Sequence, residues 1–113
     1  MESPQPDFIR SRTAKEYDVP GDQRTTRIEI LFTNGSRLTA REYFFYDTER
    51  TKYSYHWMRT DSTLIIRWDN AHPVPFDTSP HHQHVGSEEN VQPSESMTLE
   101  AVLTFITLRL SES

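Results

Sequence analysis

The chain has 113 residues, 34% of them hydrophobic and 12% aromatic. That suffices for one domain with a small, ring-rich core and is too short for two. Cysteine is absent, which excludes a disulfide scaffold and a thiolate metal site. Net charge is −5 and unevenly placed: residues 1–68 hold eleven Lys/Arg against ten Asp/Glu, residues 69–113 one against seven. Such an acidic balance repels phosphate at long range, so RNA binding would need a local arginine patch.

The first residues, MESPQPDF, have neither an apolar run nor a basic start, so no signal peptide is expected. No segment approaches the ~20 apolar residues of a membrane span. A cytoplasmic protein is the expectation. Residues 1–6 carry two prolines and are expected to form a loose arm. From Phe8 to Val19, Ile9, Tyr17 and Val19 suit an edge strand. Pro20-Gly21-Asp22 then marks a turn.

In RTTRIEILF, Ile28, Ile30 and Phe32 alternate with Arg27, Glu29 and Leu31, the pattern of a strand with one buried face. Asn34-Gly35 is the strongest hairpin signal in the chain. A three-residue loop with Gly35 in the left-handed region sets Ile30 against Leu38 and Ile28 against Ala40, which keeps the apolar side chains together. The return strand runs through Glu42, Phe44 and Tyr46, with Tyr43 and Phe45 behind.

After Asp47-Thr48-Glu49-Arg50, the segment KYSYHWM puts Tyr53, Tyr55 and Trp57 on one face and Ser54, His56 and Met58 on the other. Following a turn near Asp61-Ser62, the same alternation places Leu64, Ile66 and Trp68 together. These rings are expected to form core under a helix; stacking of bases on them is the alternative.

Residues 69–97 hold four prolines and four of the five histidines without periodicity. One long functional loop lacking regular structure is expected there. Thr98 is a good N-cap, Glu100 sits in the first turn, and Leu99, Val102, Leu103, Ile106 and Leu110 repeat at helical spacing. A helix over 98–110 should therefore lie on one sheet face. Phe105 and Leu108 fall off its stripe, to meet a partner or to lap the edge of the core. The expected fold is a single α+β domain over 1–113: an antiparallel meander of four to five strands, a long loop and a C-terminal helix.

The run KYSYHW, a short turn, LIIRWDNA, then SPHHQHVG and a closing TLEAVL resembles the TumE family of toxin–antitoxin systems over roughly residues 43–110. The resemblance implies the toxin of a type II system, bound by a helix-turn-helix antitoxin. It brings no reaction mechanism. The family's loop is expected to read closer to Asn-Ala-Pro-His-His; here Ala71-His72-Pro73 stands in its place, and His72 is not carried over as an equivalent.

The candidate catalytic residues are His56, Arg67, Asp69, His81, His82 and His84. A metal-independent ribonuclease needs a base, an acid and a cation for the phosphate, and histidine and arginine supply these. The turn sets His56 near the level of Arg67 or Trp68. Histidines two apart point the same way on extended chain, so His82 and His84, with Asp69 or His72, could instead hold a divalent metal such as zinc. No cofactor is otherwise expected. Three readings follow: a ribonuclease toxin acting on RNA through the loop histidines and Arg67, a metal-dependent enzyme on the same histidines, or a non-enzymatic protein-binding module. No P-loop, nucleophile elbow or HExxH is present.

Overall fold

The computed structural model describes residues 8–112, and the anticipated arm at 1–6 lies outside them. Seven strands form one sheet: β1 (Ile9–Val19), β2 (Gln23–Phe32), β3 (Arg37–Phe45), β4 (Arg50–Met58), β5 (Leu64–Asp69), β6 (His82–Val85) and β7 (Val91–Pro93). They follow one another in chain order, each antiparallel to the last. A single helix, α1 (Leu99–Ser111), closes the described chain. The α+β meander is as the sequence implies, but four to five strands was too few. Among the described residues, no helix is long and apolar enough to cross a membrane.

Turn chemistry sets the register. Gly21 and Gly35 take φ of 80° and 90°, the left-handed values that cost a Cβ-bearing residue energy. The β2–β3 loop is the three-residue type, with Phe32 N donating to the Ser36 carbonyl. Ile30 faces Leu38 and Ile28 faces Ala40. The loop is tied to the core: Asn34 Oδ1 accepts from Ser36 Oγ at 2.6 Å, and Ser36 Oγ accepts from Trp57 Nε1 at 3.1 Å. The buried indole N–H is thereby satisfied.

Two expectations fail, each for a local reason. Leu64 does not share a face with Ile66. Trp57 opposes Ile66 but Met58 opposes Leu64, so Ile65 is the extra residue of a bulge and the alternation changes phase. Nor is 69–97 one irregular loop, since β6 and β7 lie within it. In His-Gln-His-Val the inward positions are imidazoles, so no apolar alternation announces the strand.

The helix begins as read. Thr98 Oγ1 accepts from Ala101 N at 3.1 Å, with Glu100 in the first turn and Arg109 in the last. Val102, Leu103 and Ile106 are buried against Ile28, Ile30, Phe32, Leu38, Tyr53, Tyr55, Trp57, Ile66 and Trp68. Phe105 laps onto this core, its ring meeting those of Trp68 and Trp57 edge-on at 5.4 and 6.5 Å. Leu108 stays exposed. One face of the sheet is therefore covered, and the other is left open along β1 to β4.

Candidate functional site

Directly opposed residues of antiparallel strands share a face. The ladder therefore places a transverse row on the face away from α1: Lys15, Arg27, Arg41, Ser54, Asp69 and His82, one residue from each of β1 to β6. Beside it runs a second row: Glu29, Thr39, His56, Arg67 and His84. At the usual strand spacing the first row spans about 19 Å from Lys15 to Asp69. Three cations side by side repel one another, a cost that Glu29, 3.2 Å from Arg27 Nη2, offsets in part and an anionic ligand would offset further.

The rows end in a buried cluster. Asp69 is 4% exposed, His82 0% and His84 6%. The Nδ1 of His82 meets the Pro80 carbonyl at 2.9 Å, and that of His84 meets the Glu88 carbonyl at 2.8 Å. A carbonyl can only accept, so each Nδ1 carries a proton and donates it. Nε2 is then the ring atom left to face another group. Those nitrogens turn toward one carboxylate: His82 Nε2 lies 2.9 Å from Asp69 Oδ1 and His84 Nε2 3.6 Å from Oδ2. Yet both Nε2 atoms are buried without a hydrogen-bond partner, and the His84 contact is too long to be one.

Arg67 binds the outside of this cluster. Its Nε donates to Asp69 Oδ2 at 3.1 Å and its Nη1 to Glu88 Oε2 at 2.7 Å. Asp69 Oδ1 also accepts from Ala71 N, which draws the chain after β5 over the cluster. The His72 ring packs on that of His82, 4.8 Å between centroids, and its Nδ1 faces the Pro73 carbonyl at 3.1 Å.

An open cleft of about 380 Å³ adjoins the cluster, lined by Arg41, Ser54, His56, Arg67, Asp69 and His72 among others. His56 stands opposite Arg67, one of the two levels expected for it. Burial, then the Arg67 guanidinium, hold the His56 imidazole below its ordinary value, with Arg41 adding to the effect and Glu88 opposing it. Its ring is thus neutral at neutral pH.

His81 is the candidate that the fold sends elsewhere. One residue before His82 it turns to the helix side, stacks on Tyr53 and meets the Tyr53 hydroxyl through Nδ1 at 2.7 Å. That hydroxyl also accepts from Met97 N at 3.3 Å. Through Tyr53, His81 and the approach to α1 are tied to the first half of β4, and period-two alternation separates His81 from His82.

His56, Arg67, Asp69, His82 and His84 thus converge, with His72 packed at the margin and His81 apart. Lys15, Arg27, Arg41 and Glu88 were missed. The hairpin register that sets Ile28 against Ala40 also sets Arg27 against Arg41, so part of the row was available from sequence. Lys15 needed the pairing of the ambiguous first strand, and Glu88 a loop conformation.

No curated protein and no solved structure matches the chain. A family model described as Toxin TumE matches residues 2–110, which takes in every strand and nearly all of α1. The chain belongs to the TumE toxin family.

Proposed function

We propose that this toxin acts by cleaving RNA bound across the open face of its sheet. The observation that carries the reading is the row Lys15, Arg27 and Arg41, which leads into the cleft of His56 and Arg67. This is the local cationic patch that an acidic chain needs to hold a polyanion. The backbone phosphates would run along the row, and the scissile one would enter the cleft. Arg67 would steady its oxygens, and the neutral His56 would accept the 2′-hydroxyl proton as that oxygen attacks phosphorus; the bond to the 5′-oxygen would break, and that oxygen would take a proton from water in the open cleft, leaving a 2′,3′-cyclic phosphate. His82 and His84 are too enclosed to exchange protons with a polymer and receive no such part here. A helix-turn-helix antitoxin bound over this face would neutralise the toxin by covering the row.

The binding-module reading is weakened because Phe105 is used in the core, which leaves Leu108 as the helix's exposed large apolar residue. The test combines growth arrest on expression with RNA cleavage by the pure chain. Changing Lys15, Arg27 and Arg41 together to Gln should abolish both while the circular dichroism spectrum is kept. Full toxicity from that triple variant would end the reading. Co-purification with a helix-turn-helix protein from the adjacent reading frame tests the partner separately.

A further inference from the structure

With each Nδ1 donating to a backbone carbonyl, the remaining ring nitrogens of His82 and His84 both turn to Asp69: His82 Nε2 is 2.9 Å from Oδ1 and His84 Nε2 3.6 Å from Oδ2. Both Nε2 atoms are buried and have no hydrogen-bond partner. Polar atoms enclosed in this way are rare in native structures and call for a ligand or an ion. The nitrogens and one carboxylate oxygen all lie within 4.8 Å of one another.

We propose that Asp69, His82 and His84 bind one divalent first-row transition-metal ion, with zinc as the reference occupant. Two imidazole nitrogens and a carboxylate form a borderline donor set, suited to Zn²⁺, Fe²⁺, Co²⁺ or Ni²⁺ and ill suited to Mg²⁺ or Ca²⁺. Bonds near 2.1 Å separate ligand atoms by about 3.0–3.5 Å, so small side-chain adjustments close the set. The outer contacts match those that orient metal-bound histidines: each Nδ1–H donates to a backbone carbonyl, and Arg67 Nε donates to the carboxylate. His72 stays outside the ligand set. It packs on His82 and limits water access from the loop side.

Asp69 belongs both to this set and to the wall of the cleft. A bound ion would therefore border, through Asp69, the pocket where a phosphate would sit. Use of the ion in RNA cleavage rests on the function proposed above; binding of the ion does not.

The test uses the full chain, tag removed, stripped with chelator and titrated with Zn²⁺, then with Mg²⁺, by calorimetry and elemental analysis. One Zn²⁺ per chain is expected at submicromolar affinity, with no comparable Mg²⁺ binding. The near-isosteric Asp69→Asn and His84→Gln variants should each weaken zinc at least 100-fold. Because His82 is fully enclosed and His82→Ala could unfold the chain, nitrogen-15 spectra of the unaltered protein provide the second measurement. Zinc should move the Nε2 resonances of His82 and His84 and leave those of His56 and His81 in place. Failure to take up stoichiometric zinc, or zinc uptake that leaves the Nε2 resonances of His82 and His84 unmoved, would overturn the site. Zinc binding without any RNA cleavage keeps the site and removes the nucleolytic function. Cleavage by a chain that binds no metal does the reverse.

Discussion

The two faces of this sheet are built from the same strands and obey opposite rules. On the covered side, Trp57, Trp68, Tyr55 and Phe32 meet the helix, and the polar atoms there have partners, as when Ser36 takes the Trp57 N–H. On the open side, like charges stand in line and two buried ring nitrogens lack hydrogen-bond partners. Native structures satisfy nearly all buried polar atoms, so the exceptions call for an explanation. The packed core lies on one side and the unsatisfied polar atoms on the other. Tolerated frustration of this kind is expected where a ligand completes the structure.

The contrast can be broken by mutation. Trp68→Ala on the covered side should cost about 3–5 kcal/mol, read by urea denaturation, because it hollows the centre of the core. A cost below about 1 kcal/mol would mean that the helix does not rest on this ring. Thr98→Ala removes the side chain that accepts from Ala101 N and should cost about 1 kcal/mol. An unchanged denaturation midpoint would show that another group takes over the cap.

On the open side the sign reverses. The Lys15, Arg27 and Arg41 to Gln variant should be as stable as the parent or a few tenths of a kcal/mol more so, because it relieves repulsion. It should also lower the salt dependence of single-stranded RNA binding, by about 2 in the log–log slope. A marked loss of stability would mean that the row supports the fold instead of a ligand.

The smallest effect is that of His56. Its folded value lies below the ordinary 6.5, through burial and then Arg67 and Arg41, with Glu88 opposing. The stabilisation from the neutral ring is therefore complete above the unfolded value and is lost as pH falls through the folded one. In chelator-treated protein, proton spectra should show its midpoint below that of a free histidine. His56→Gln should flatten the acid-side decline in stability. A midpoint at or above 6.5 would mean that Arg67 and burial do not govern this ring.

The covered face was legible because its chemistry is periodic. Ile28, Ile30 and Phe32 against Leu38 and Ala40 announced both strands and their register, and Thr98 announced the helix. The open face was legible only in part. Alternation gave the shared direction of His82 and His84, but their strand went unseen because imidazoles replaced the apolar residues that mark a buried side. Leu64 was assigned to the wrong face because a bulge at Ile65 changes the phase, and a pattern of twos cannot signal a skipped partner. The separation of His81 from His82 follows from the same alternation once the strand is known. Glu88 and the enclosure by residues 70–80 depend on loop conformation, which leaves no periodic trace.

The pairing of β6 with β5 has a further consequence. Arg67 faces His84 and Asp69 faces His82, while Gln83 lies opposite Trp68. Were this short ladder displaced by a single position, both imidazoles would swing to the helix side, and a glutamine and a valine would come to face the carboxylate. In that register both ring nitrogens leave Asp69 together, so the cluster of three depends on the exact pairing of one four-residue strand.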